Sequence, residues 1–104
     1  MINIDDIKIL IKNENRLDNE DEILTTLIEM YTNIALQQSN RDNTEQNIYI
    51  LTPIIQTAVV KAYHRLGQEG VSNFSINGIS ETYDDIIKSM FDSIIRGNLR
   101  LLKL

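Results

Sequence analysis

The sequence predicts a mainly α protein, a small bundle of about four helices with a β-hairpin inserted between the third and fourth. Three observations predict it. Apolar residues recur at three and four over long stretches, which is the period of a helix with one buried side. The 104 residues are 42% hydrophobic, enough for one compact domain spanning 1–104. Between two of the helical stretches, Asn77-Gly78 stands in a run that keeps no helical period. Asn-Gly is a strong short-range hairpin signal, because both central residues of a type I′ turn need φ > 0.

The first helix is expected to open at Asp5 or Asp6 and run through Lys12, with Ile4, Ile7, Leu10 and Ile11 along one side. Asn13 to Arg16 reads as the connector. In Leu17-Asp18-Asn19-Glu20-Asp21-Glu22, Asp18 or Asn19 is the expected N-cap and the acids after it suit the positive end of the helix dipole. A calcium loop needs acids at alternating positions around a central glycine, and this cluster has neither. The second helix places Ile23, Leu24, Leu27, Ile28, Tyr31, Ile34 and Ala35 in one stripe, and the polar run from Gln37 to Asn43 reads as the loop that ends it.

The third helix puts Ile48, Leu51, Ile55, Ala58, Val59, Ala62 and Leu66 on one face and Ile50, Ile54 and Val60 beyond it. It is therefore expected to be the central, most buried helix. Pro53 lacks an N–H, so the helix begins either at Ile48 to Thr52, with Thr52 as cap, or earlier at Thr44 with a bend. Gly67 is the expected C-cap. His64 is the only histidine, flanked by the cations Lys61 and Arg65, and reads as a surface or interface residue.

If Asn77-Gly78 forms its turn, Ile76 faces Ile79, Ser75 faces Ser80, Phe74 faces Glu81 and Asn73 faces Thr82. One face of this ribbon is then apolar, with Phe74, Ile76 and Ile79, and the other polar and uncharged, with Asn73, Ser75, Ser80 and Thr82. A lone ribbon is marginal in water, so its apolar face needs the helices or another copy of the chain. Asp84-Asp85 sit where the cap of the last helix belongs. That helix directs Tyr83, Ile86, Ile87, Met90, Phe91, Ile94 and Ile95 to the core, and Gly97-Asn98 stops it. Residues 97–104 then form an apolar, cationic tail in which Leu99, Leu101, Leu102 and Leu104 alternate with Arg100 and Lys103. It reads either as a frayed helix end packed on its own domain or as a docking arm for an acidic, apolar groove, since four exposed leucines are a liability on a small monomer.

Charge separates the candidate functions. The net charge is −5, but residues 1–50 hold ten acids against four bases and residues 86–104 hold one acid against four bases. A protein that grips DNA through phosphates is expected to be basic, so avid DNA binding is disfavoured. Cysteine is absent, which agrees with a reducing compartment. No secretory leader is read at the N-terminus, and the apolar run from Ile48 to Val60 is too short and too polar to span a bilayer, so no membrane partner is expected. No phosphate loop, nucleophile elbow or His-Glu-x-x-His run occurs, and no enzyme activity, cofactor or metal is expected.

The helix end Ala62-Tyr63-His64-Arg65-Leu66-Gly67, then Glu69-Gly70, the serine-rich pair of strands turning at Asn77-Gly78, then Ile79-Ser80 and Thr82-Tyr83-Asp84 carry a resemblance. Together they resemble the tailed-bacteriophage head-to-tail connector family, with Asn-Gly where Gly-Gly is the family's turn. The resemblance covers most of the chain, with the helices in the same order. It implies a structural virion protein of the neck, assembled in the host cytoplasm. Such a protein forms a ring of about a dozen copies beneath the portal protein, extends the DNA channel without binding the passing DNA tightly, and supports a stopper or tail-completion protein. It also favours docking of the tail, Leu99 to Leu104, on the portal, and makes the hairpin a candidate channel or intersubunit surface. The alternative is a small helical DNA-binding regulator or packaging-terminase component, whose basic element would have to be Arg96 to Lys103.

Overall fold

A computed structural model describes residues 2–11, 20–68 and 83–102. Among them are four helices, α1 (Ile4–Ile11), α2 (Glu20–Ser39), α3 (Glu45–Gln68) and α4 (Asp84–Arg96), and no strand. The mainly helical bundle is as expected. The hairpin over Asn73, Phe74, Ser75, Ile76, Asn77, Gly78, Ile79, Ser80 and Thr82 lies outside the described residues, as do the connector at 13–16 and the caps Asp18 and Asn19.

α2 and α3 together form the centre of the bundle, because they pack on each other and each packs on both α1 and α4, whereas α1 and α4 do not pack on each other. The buried face of α3 is Leu51, Ile55, Ala58, Val59, Ala62, Tyr63 and Leu66. Tyr63 joins it beyond expectation: lying four residues after Val59 and three before Leu66, it shares their face. α2 lays Ile23, Leu24, Leu27, Ile28, Tyr31, Ala35 and Leu36 against it, and α4 adds Ile86, Met90 and Ile94.

Pro53 lies inside α3, so the earlier of the two possible starts is the correct one. Thr44 caps it, its Oγ1 accepting from the Asn47 amide at 3.2 Å. The proline leaves the Tyr49 carbonyl without its helical donor, which is tolerable because Tyr49 and Pro53 face solvent. The Thr52 hydroxyl, once a candidate cap, instead donates to the Ile48 carbonyl at 2.7 Å.

Other ends depart from expectation for local reasons. Asn3, not Asp5 or Asp6, caps α1: its Oδ1 accepts from the Asp5 amide at 2.9 Å, leaving both aspartates in the first turn. Gly67 lies within α3 instead of capping it. Asp84 and Asp85 fall inside the first turn of α4, and Tyr83 holds the cap position with φ 70°. Two side chains assigned to the core are partly in water, Leu10 at 46% and Ile95 at 45%. α1 is covered only along its Ile7–Ile11 line and α4 only along Ile86, Met90 and Ile94, so the adjacent positions are left out.

α2 and α4 end in the same way. After α2 the Arg41 amide donates to the Leu36 carbonyl and the Asn40 amide to the Gln37 carbonyl, with Asn40 at φ 56°. After α4 the Leu99 amide donates to Ile94 and the Asn98 amide to Ile95, with Asn98 also at φ 56°. Both are Schellman turns with asparagine in the left-handed position that glycine more often takes. Gly97 serves a different purpose, since a Cβ there would sit 3.3 Å from Leu99 Cγ and from the Ser93 carbonyl. Asn98→Ala should therefore lower unfolding stability by about 1 kcal/mol, and Asn98→Gly should not. Urea denaturation of the two variants checks this, and equal loss in both would rule out the backbone explanation.

Candidate functional site

The turn after α2 does more than end a helix, because it captures the tail. The last carbonyl of α2, Ser39, accepts from the Leu101 amide at 2.8 Å. Asn40 Nδ2 donates to the Leu101 carbonyl at 2.9 Å, and Arg41 Nε donates to the Leu99 carbonyl at 2.8 Å. Arg41 is held in turn by Asn47 Oδ1 at 3.0 Å, and Asn47 Nδ2 donates to the Asp42 carbonyl at 2.9 Å. A helix leaves its last carbonyls without intrahelical donors, and here the returning chain supplies one.

The tail is thus neither a frayed end nor a free arm along its whole length. Leu99 is half-buried against the core. The Arg100 guanidinium lies over the Phe91 ring, 5.6 Å from its centroid. Leu101 is 45% exposed and Leu102 is 94% exposed. Lys103 and Leu104 lie outside the described residues. Removing Leu99 to Leu104, the cut that the sequence invites, would delete four of the hydrogen bonds just named or closing α4, so it would test the fold together with docking. A chain ending at Leu101 isolates docking.

Sequence pattern does not single out Ser39, Asn40 and Arg41, because Gln37 to Asn43 reads as one loop, nor Asn47, whose partners Arg41 and Asp42 lie across that turn. Gln37, Gln38 and Ser39 belong to α2. Ser39 is fully buried, its hydroxyl donating to the Ala35 carbonyl at 2.7 Å. A usable signal was present: asparagine just past a helical period favours the left-handed position.

A second cluster joins α3 to α4. Arg65 grips Asp85 with both terminal guanidinium nitrogens, Nη1 and Nη2, donating at 2.7 Å, and its Cζ lies 4.6 Å from the centroid of the Tyr83 ring. This holds Tyr83 in a left-handed backbone that costs a bulky residue about 1–2 kcal/mol. The Arg65 hydrogen bonds, ahead of its charge, draw the Asp85 pKa down from 3.8 to about 2. Beside this cluster Tyr31 is fully buried, and its hydroxyl has no hydrogen-bond partner among the described residues. Burial, and then proximity to Tyr83, push its pKa up to about 12. His64 is half-buried with its ring centroid 6.5 Å from that of Tyr63.

Between α3 and α4 runs a shallow groove of about 200 Å³ lined by Pro53, Ile54, Thr57, Lys61, Ser89 and Ser93 among others. Lys61 is its one charged side chain, so it offers small hydroxyls and aliphatic surface. Among the described residues, no three histidine or acidic side chains come together as a metal site, and no helix is long and apolar enough to cross a membrane.

Two pH effects follow from the second cluster. The folded pKa of Asp85 lies below its unfolded value, so its contribution is present above about pH 4 and lost as pH falls towards 2. Thermal melts from pH 5 to pH 2 should show this loss in the parent and a smaller one in Asp85→Asn. The folded pKa of Tyr31 lies above its unfolded value, so stability is lost as pH rises from about 10 towards 12. Tyr31→Phe should reduce that alkaline loss and leave stability at pH 7 within about 1 kcal/mol of the parent or above it, because the hydroxyl it removes bonds to nothing described. A loss at pH 7 well beyond this in urea denaturation would mean that the hydroxyl has a partner.

Compared with models of protein families, with curated proteins and with solved structures, the chain matches none.

Proposed function

We propose that the chain is a structural assembly subunit of the phage neck, a connector that forms a ring beneath the portal protein and carries a stopper or tail-completion protein. The motif run from Ala62 to Asp84 supports the reading by resemblance. One structural observation carries it further: Leu102 is held almost fully in water by a chain that is hydrogen-bonded up to Leu101. An exposed leucine on a frayed end is unremarkable, but one projected from an anchored backbone is presented in a fixed direction, which lowers the ordering cost of docking.

In this proposal the hairpin over 73–82 is inserted between α3 and α4 and faces the channel or the neighbouring subunit. The acidic charge of the rest of the chain lets DNA pass, because phosphate contacts would add affinity that stalls it. The alternative, a DNA-binding regulator, must use Arg96 to Lys103. There Arg100 already lies over Phe91 and Arg41 binds the backbone at Leu99, so the stretch is not laid out as a recognition helix.

Electron microscopy and pull-down with portal protein test the proposal. The full chain should join a portal-bound ring, and a chain ending at Leu101 should keep the parent's helical circular dichroism but lose portal attachment at least tenfold. Equal attachment by both would eliminate the docking role of the tail. Retention on a duplex-DNA column at physiological salt would favour the regulator instead.

A further inference from the structure

Along the seam of α3 and α4 the charges pair once and then stop. The end of α3 meets the start of α4 through Arg65 and Asp85, hydrogen-bonded at 2.7 Å. From there the two helices run back along the groove, and steps of four residues bring Lys61 and then Thr57 on α3 beside Ser89 and then Ser93 on α4. Asp85 has no counterpart one turn on. Where Lys61 would find a second acid, Ser89 stands.

The rim is left with unused polar groups. Lys61 makes no ion pair among the described residues, and the Ser89 and Ser93 hydroxyls donate to no acceptor there. Other helical hydroxyls bond back along their own helix, Thr52 to the Ile48 carbonyl and Thr57 to that of Pro53. Beneath the rim the floor of the groove is the buried Ala58, Ile86 and Met90. On α3 no charge lies between Glu45 and Lys61, and on α4 Lys88 and Asp92 flank the serines with opposite signs. In a chain of net charge −5, this groove therefore carries the single positive charge of Lys61.

Shape narrows the guest further. Small molecules are held in cavities of about 300–1,000 Å³ that enclose most of their surface, and this groove is smaller and shallow. The stretch from Pro53 to Lys61 spans about 12 Å of helix, the reach of three or four extended residues.

We propose that the groove docks a short acidic and aliphatic peptide segment of another protein, its carboxylate at Lys61 and Ser89 and its aliphatic side chain over Ala58, Ile86 and Met90. Charge complementarity selects this guest. Its acid stands beside Lys61 as Asp85 stands beside Arg65, whereas a basic segment would meet the lysine's own charge. The aliphatic floor separates it from a bare anion, which would gain nothing there. One exposed ion pair and a few aliphatic contacts make a weak site, with a dissociation constant of the order of 1 mM. The inference goes beyond the connector reading and does not rest on it, since it uses neither the tail nor the hairpin.

Amide chemical shifts of the isotopically labelled full chain test it, with the peptide acetyl-Leu-Leu-Glu-Leu-amide added to about 10 mM. Shifts should concentrate on Thr57, Lys61, Ser89 and Ser93 and approach saturation. The same peptide with glutamine for glutamate should bind about threefold more weakly, and added salt should narrow that difference. Lys61→Gln, at an exposed position, should keep the helical circular dichroism and abolish the preference for glutamate, leaving both peptides bound at the weaker level. A peptide that shifts nothing in the groove, equal binding of the glutamate and glutamine peptides, or a preference that survives Lys61→Gln would each overturn the proposal. So would inorganic phosphate alone, if it shifted the same amides as far as the peptide does.

Discussion

α1 and α4 are stable because the pair of long helices α2 and α3 offers each of them a face to cover. α1 has eight residues, far below the length at which a helix persists alone in water. It exists because Ile7 and Ile11 are fully buried against its neighbours. Each such aliphatic contributes about 1.5–3 kcal/mol on burial, which exceeds what caps or first-turn charges supply. The same dependence explains Pro53. A proline on the buried side of α3 would have set a broken hydrogen bond within the core, but on the exposed side water receives the freed carbonyl.

The helix ends convert that packing into a presented surface. Asparagine in the left-handed position turns the chain after both α2 and α4, and the two turns lie close enough for Leu101 to bond to Ser39 and Asn40. The position of the tail is therefore a consequence of where α2 and α4 stop, which depends on Asn40 and Asn98, and of how they pack on α3. A single local choice at each turn passes through the bundle to the direction in which Leu102 points.

Periodicity made the four helices and most of the core legible, because buried faces repeat at three and four whatever covers them. It does not say how wide the cover is. Leu10 and Ile95 share helical faces with buried residues, but no neighbour reaches them. Helix ends were less legible for a related reason. Thr44, Asn3 and Asn40 compete with nearby polar residues that look equally suitable, and the choice is settled by partners such as Leu101, 61 residues from Asn40. Arg65 and Asp85 were each read as locally sensible, one as a neighbour of His64 and the other as a cap, and only the fold brings them together. The hairpin signal at Asn77-Gly78 falls outside the described residues, so the fold neither adds to it nor subtracts from it.

Stability is distributed unevenly between the two ends of α4. At its C-terminus the chain leaves through backbone hydrogen bonds, a glycine that admits Leu99, and an arginine that holds the Leu99 carbonyl. At its N-terminus the joint to α3 combines buried Ile86 with an exposed ion pair and a cation–π contact, set against a strained tyrosine backbone and, beside them, a buried tyrosine hydroxyl with no partner among the described residues. Exposed ion pairs contribute little in water, and backbone strain subtracts from what they give. In the connector proposed above, the anchored C-terminal end of α4 is what would give the tail a fixed docking direction.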